Sequence, residues 1–506
     1  MKKINSKLII STFAFFILAT SWSCSKESTP KEENIEEEIV KTLKTNTTSI
    51  AFDHTESNED VTITTDVDSW VISSSGTSWI TLSKSSGSAG ATIVKISASE
   101  NSSITGRSTE ITVNANKVTP VKISVTQAGI PSTNGLYPDY NTNPIPADAT
   151  GMTKTAVEIA AEINLGWNIG NSLEATGSET AWGNPVVTKQ LIDAVKANGF
   201  NAVRIPCSWN QYLTDDVNAE IKTTWLNRVK EVVQYCIDND LYVLLNIHWD
   251  GGWLENNVTE VKKEENNAKQ KAFWEQIATH LRDFDEHLLF ASANEPAVED
   301  AEQMAVLTSY HQTFIDAVRA TGGKNAYRTL VVQGPTTDID KTNNLMNTLP
   351  TDAVENRMMV EVHYYSPWQF AGLTEDASWG KMAYYWGEDY HSSTDTERNA
   401  TWGEETELAN YFQLMKTKFV DHGIPVLLGE FGAIRRSTLT GDDLTLHLNS
   451  RAYYLKTVVQ QAKEKGLLPF YWDEGSIGNN GFGIFDRSNN TVFDTQVLTA
   501  LLEGIE

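Results

Sequence analysis

The chain has 506 residues, of which 66 are acidic and 40 basic, for a formal net charge of −26. That length calls for two or more folded units, and a 40% hydrophobic content supplies them with cores. The charge disfavours binding to nucleic acid or to an anionic membrane surface, since both need basic patches, and it suits a secreted, highly soluble protein with a neutral partner.

Met1-Lys2-Lys3 and Lys7 open the chain with positive charge. The apolar stretch 8–19 that follows is too short to span a bilayer stably and reads as the core of a signal peptide covering 1–23. Ser21-Trp22-Ser23-Cys24 resembles a bacterial lipobox, with Trp22 as its imperfect position. Cys24 is then the expected lipidated first residue of the mature chain, with an unlipidated signal peptide as the alternative. Ser25-Lys26-Glu27 and the acidic Glu36-Glu37-Glu38 resemble surface-export sequences of Bacteroidetes lipoproteins. This predicts an outer-membrane lipid anchor at the cell surface. Residues 24–43 are charged and polar and read as a tether. The two remaining cysteines, Cys207 and Cys236, form no disulfide framework and are expected to be buried free thiols.

From 44 to 129 the texture changes to alternating β-branched runs separated by Ser, Gly and Asn turns, which predicts a small β-sandwich. Ser78-Trp79-Ile80-Thr81-Leu82, Ser85-Ser86-Gly87, Arg107 before a strand and the closing Val125-Thr126-Gln127-Ala128-Gly129 resemble the BACON domain, an immunoglobulin-like module. The resemblance implies either carbohydrate binding or a spacer. Trp70 and Trp79 read as core anchors in preference to a sugar platform. Residues 130–152, with Pro131, Pro138, Pro144 and Pro146, read as a semi-extended linker.

Between 153 and 506 strand-like and helix-like segments alternate. The strands are expected at 165–171, 202–206, 242–248, 288–294, 329–333, 359–365, 426–430 and 469–472. Amphipathic helices are expected at 186–197, 224–239, 268–284 and 450–465, among others. Eight such repeats predict an α/β fold, a (β/α)8 TIM barrel. Polar residues gather at the strand ends, where a core alone would use branched aliphatics. They are Asn168 and Asn171, Arg204, His248, Asn294-Glu295, His363-Tyr364-Tyr365, Glu430 and Trp472. Asn294-Glu295-Pro296 and Gly429-Glu430-Phe431-Gly432 each put one glutamate at the end of a strand, so both carboxylates can face each other on one rim. Two facing carboxylates are the minimum equipment for cleaving a glycosidic bond.

These motifs, with Gly166-Trp167-Asn168-Ile169-Gly170-Asn171-Ser172-Leu173 and Asn246-Ile247-His248-Trp249-Asp250, make residues from about 156 to 506 resemble glycoside hydrolase family 5. The closest likeness is to its subfamily 4 of endo-β-1,4-glucanases. The resemblance implies a retaining enzyme acting on cellulose-type glucan, xyloglucan or mixed-linkage glucan. It implies Glu295 as acid/base with a raised pKa and Glu430 as ionised nucleophile. Arg204, Asn294, His363 and Tyr365 are implied as catalytic support, and Asn171, His248, Trp249 and Trp472 as sugar contacts. No cofactor and no metal are implied, and a monomer is expected. Two alternatives stand beside this reading: a β-mannanase of the same family, and a surface glycan-capture lipoprotein that does not cut. Of the loop tryptophans 182, 249, 253, 368, 379, 386 and 402, about half are expected to line a cleft, since aromatics also serve as core.

Overall fold

A computed structural model describes residues 41–75, 78–101, 106–129 and 135–506. The expected signal peptide, Cys24 and most of the tether lie outside the described residues. Among the described residues no helix is long and apolar enough to cross a membrane.

The N-terminal unit consists of two facing sheets. One orders its strands Leu43–Thr45, Ser57–Thr65, Gly90–Ala98, Ile80–Leu82. The other orders them Ser49–Phe52, Val121–Gln127, Arg107–Ala115, Trp70–Ser74, Ser86–Gly87. The period-two pattern puts Val61, Ile63, Val94, Ile96, Ile111, Val113, Ile123 and Val125 between the sheets, as alternation of side chains across a pleated strand requires. Trp70 and Trp79 are both buried there, and the Arg107 guanidinium sits 4.6 Å from the Trp79 ring centroid. Both indoles are therefore core anchors.

The described part of the segment read as a linker is packed against the barrel. Ile145–Ala147 pairs in parallel with Gly322–Gly323. The Tyr140 hydroxyl donates to the Asn218 carbonyl at 2.7 Å, and Arg282 donates to the Asn143 carbonyl at 3.0 Å. Proline spacing reveals an extended chain but not the surface that it lies on. Gly322 shows how close that approach is, because a Cβ there would stand 1.8 Å from the Ile145 carbonyl oxygen.

Eight parallel strands close into a barrel: β1 (Gly166–Ile169), β2 (Ala202–Ile205), β3 (Tyr242–Asn246), β4 (Leu288–Ala291), β5 (Leu330–Gln333), β6 (Met358–Tyr364), β7 (Val426–Phe431) and β8 (Leu467–Asp473). All eight expected strands are present. Their residues are buried almost throughout, because helices cover the outside and side chains fill the inside. One helix absent from the sequence reading, Ala156–Glu162, closes the barrel floor. Its Ala156 and Ile159 pack with Leu244, Leu289, Met359, Leu427 and Leu468, and Thr155 with Glu158 forms a capping box at its start. The last long helix, Gly441–Lys465, begins well before the expected 450. Its first turns carry Asp442 and Asp443 and little apolar periodicity, so the hydrophobic pattern marked only its buried half. Cys207 and Cys236 are free and buried.

Candidate active site

The ends of β4 and β7 deliver the two glutamates to one place. One carboxylate oxygen from each of Glu295 and Glu430, together with a ring nitrogen of His363, all lie within 4.8 Å of one another. That separation is the short one of a retaining pair, well under the roughly 6.5–9.5 Å that an inverting pair needs to seat its attacking water beside the sugar, and it fits direct displacement at a carbon held between them. The two are unequal in solvent access: 41% of the Glu295 side chain is exposed against 7% of Glu430.

Arg204 on β2 is the hub. It is fully buried, and its Nη1 donates to Glu430 Oε1 at 2.7 Å and to Asn168 Oδ1 at 2.9 Å. Its Nη2 donates to Asn294 Oδ1 at 2.9 Å, and its Nε lies 2.8 Å from Glu361 Oε1. The Tyr365 hydroxyl donates to Glu430 Oε2 at 3.0 Å. His363 Nδ1 meets Glu295 Oε1 at 2.7 Å, while its Nε2 is 3.3 Å from Glu361. The sequence reading missed Glu361. Period two along β6 puts it on the same inward face as His363 and Tyr365, a signal that was present but unused. Gly429 makes room for it, since a Cβ there would stand 2.0 Å from Glu361 Oε1. Gln333 ties Glu361 to the end of β4, donating to its Oε2 at 2.6 Å and accepting from the Ala293 backbone N–H at 2.8 Å.

Charge follows from this crowding. Burial works against an imidazolium at His363, but Glu430, Glu295 and Glu361 outweigh it and lift its pKa to about 10. His363 is therefore a cation at neutral pH. Burial also works against charge on Glu295, yet the His363 hydrogen bond and charge win, and the carboxyl is held below its usual range. Burial pushes Glu430 up, with His363 and Arg204 opposing the rise. The expectation of a raised pKa at Glu295 thus fails for the free site. The cause is His363, which holds the proton that the sequence argument placed on the carboxyl.

The expected sugar contacts follow the ends of β1, β3 and β8. Trp472, at the end of β8, approaches Gly170 so closely that a Cβ would stand 2.9 Å from its indole. The His248 ring lies nearly parallel to it, centroids 5.9 Å apart. Desolvation, with Arg204 and His363 adding repulsion, holds the His248 pKa well below its usual value, so it is neutral. Asn171 takes a left-handed conformation with φ 55°, and its backbone N–H is held by the buried Glu174. Trp249 is exposed, as are Trp182, Trp368, Trp379 and Trp402. Trp386 is core, and Trp253 packs edge-on against Phe273. The loop between β6 and β7 opens a cavity of about 380 Å³ walled by Trp379 and Trp402.

Residues 168–478 match the family model described as cellulase, glycosyl hydrolase family 5, and residues 68–128 match BACON, described as a putative N-terminal binding domain. Endoglucanase A of Paenibacillus barcinonensis is 37% identical over 73% of this chain and 94% of that protein. The xyloglucan-specific endo-β-1,4-glucanase BoGH5A of Bacteroides ovatus is 34% identical over 86% of both chains. A solved Bacteroides ovatus GH5 xyloglucanase in complex with a XXXG heptasaccharide superposes with TM-score 0.67 at 32% identity, covering 92% of this chain and all of that one.

Proposed function

This chain belongs to glycosyl hydrolase family 5 and is a β-glucan-cleaving endoglucanase; from that premise we propose that xyloglucan is its substrate and that Glu295 and Glu430 cut it by double displacement. The gap of at most 4.8 Å between their carboxylate oxygens carries the mechanism. The likeness to a xyloglucan-specific relative along both folded units supports the substrate.

In the first step Glu430 attacks the anomeric carbon, and its C–O bond forms as the glycosidic C–O bond breaks. Arg204 and Tyr365 hold the attacking carboxylate through bonds that the charged form accepts best. Glu295 gives its proton to the departing oxygen. That proton comes from His363 across their 2.7 Å bond. A sugar chain covering the half-exposed Glu295 removes the water that solvates its charge, and desolvation then favours the neutral carboxyl. In the second step Glu295 takes a proton from water, which attacks the glycosyl ester and frees Glu430. Asn294 meets the sugar 2-hydroxyl, and Trp472 lies under the apolar face of the ring.

The test is a panel of xyloglucan, lichenan, carboxymethylcellulose and glucomannan, with product anomers followed by NMR. Fastest release from xyloglucan with the β-anomer formed first is expected. Fastest release from glucomannan would move the chain to the β-mannanases, and absence of any reducing ends would leave the capture reading.

The sandwich acts as a spacer in this proposal. Its aromatic residues Phe52, Trp70 and Trp79 are all buried, so none offers a sugar platform. The separate unit should migrate through xyloglucan-containing native gels unretarded, and retardation would make it a binding module. The proposal also places the enzyme at the cell surface on a lipid at Cys24, supported by the lipobox resemblance. Cys24→Ala should move the protein from the membrane to the soluble fraction.

A further inference from the structure

We propose that Glu255, in the loop after β3, is a positioning residue that sets the orientation of the Asn294 amide and confronts Glu295 with a second acidic group. The proposal rests on Glu295 acting as acid/base. Glu255 Oε2 accepts from Asn294 Nδ2 at 3.2 Å and from the Glu295 backbone N–H at 3.0 Å. The Glu255 carbonyl accepts from the Ala297 N–H at 2.8 Å. One residue thus grips the Asn294-Glu295-Pro296-Ala297 turn through both its side chain and its backbone.

The consequence for Asn294 is specific. An amide can flip, exchanging its donor and acceptor ends. Here the acceptor end faces Arg204 Nη2 at 2.9 Å and the donor end faces Glu255. Each partner alone favours one orientation, and together they forbid the other. One Nδ2 hydrogen is spent on Glu255, which leaves the second as a donor of fixed identity for the sugar. The loop carrying Glu255 is itself anchored. Asp250 accepts from the Trp209 and Asn210 N–H groups at 2.9 and 2.8 Å and from Trp253 Nε1 at 2.9 Å, while Leu254 is buried.

The second consequence is electrostatic. Burial, together with the charges of Glu295 and Glu430, lifts the Glu255 pKa to about 7. The groups facing this cluster are Glu295 and Glu430, with the cations Arg204 and His363 behind them. The repulsion between Glu255 and Glu295 is mutual, so an ionised Glu255 favours the protonated form of Glu295. Above about pH 7 an ionised Glu255 therefore favours the transfer of the His363 proton to Glu295 once substrate covers the site.

The test compares full-length wild type, Glu255→Gln and Glu255→Ala on an aryl xyloglucan oligosaccharide, with kcat and KM measured across pH and thermal unfolding recorded for each. Glu255→Ala, which frees the amide and the backbone, should lower kcat by about 10²-fold with a smaller change in KM. Glu255→Gln keeps an acceptor and loses the charge. Its loss in kcat should be smaller, and its alkaline limb should move down by roughly half a pH unit or more, the scale of one charge acting over a few ångströms of protein. Wild-type kcat and pH profile in Glu255→Ala would overturn the proposal. So would equal losses in both variants with an unmoved alkaline limb, which would mark a loop prop. Wild-type inactivity on every β-glucan would instead strike the functional assignment, before any variant is compared.

Discussion

Glu430→Gly should lower kcat on xyloglucan by about 10⁴-fold or more, because the residue that forms the covalent bond has no substitute within reach. Tyr365 bonds to Glu430 but offers only a phenol whose pKa is raised well above its usual value, first by burial and then by Glu430 and Glu295. The fold should survive the change. Arg204 keeps Glu361, Asn168 and Asn294, and a carboxylate that burial disfavours has been removed, so thermal stability should hold or rise. The vacated space should admit azide on the face that Glu430 attacked from. With an activated aryl glycoside, azide should then restore turnover and give the α-glycosyl azide, a single inversion. The corresponding Glu295→Ala variant should respond to azide with the β-product, since its Glu430 still forms the ester. Product identity is read by NMR. Activity within tenfold of wild type in Glu430→Gly, or the two azide products exchanged between variants, would reverse or end the assignment of roles.

The sequence carried the barrel well because its eight strands are buried on both sides and end in polar residues, and both features are local. Glu295 and Glu430 were legible for the same reason: each closes an apolar run with a carboxylate, which a core would not do. What sequence spacing cannot supply is the partner across the barrel. Glu361 sits inside β6 between Val360 and Val362, where period two aligns it with His363 but no spacing shows Arg204 arriving from β2. Glu255 lies in a loop with no periodicity. It matters only because the turn after β4 folds against it, 40 residues further along the chain. The misjudged charge on Glu295 has the same origin. The spacing of the motifs could not show that the site sets three carboxylates around one imidazole and one guanidinium. The course of the linker is hidden in a parallel way, since Tyr140, Asn143 and Ile145 reveal their contacts only once the barrel surface beneath them exists.

Arg204→Met should destabilise the barrel by about 3–5 kcal/mol, the cost of removing one member of a buried charge network and leaving the others unpaired. Arg204 and Glu361 are both fully buried. Burial opposes charge on Glu361, but Arg204 and His363 hold its pKa below the usual value. A lowered pKa contributes stability that is present above the unfolded value and lost as pH falls through the folded one. Without the guanidinium the sign reverses: Glu361 becomes a carboxylate that burial would rather protonate. The penalty of Arg204→Met should therefore be largest near neutral pH and shrink as the solution is acidified. His363 sets the opposite boundary in the wild type. Its raised pKa gives stability that is complete below about pH 6.5 and lost as pH rises through about 10. Adding Glu361→Met to Arg204→Met replaces the charged pair with apolar volume and should recover most of the stability. It should recover none of the activity, because Glu430 and Asn294 still lack the donors that aim them. Measuring unfolding midpoints and kcat/KM across the two single variants and the double variant separates the two roles. If the double variant regained both, Arg204 would be a structural cation only. If it regained neither, the penalty would lie in the shape of the site and not in its charge.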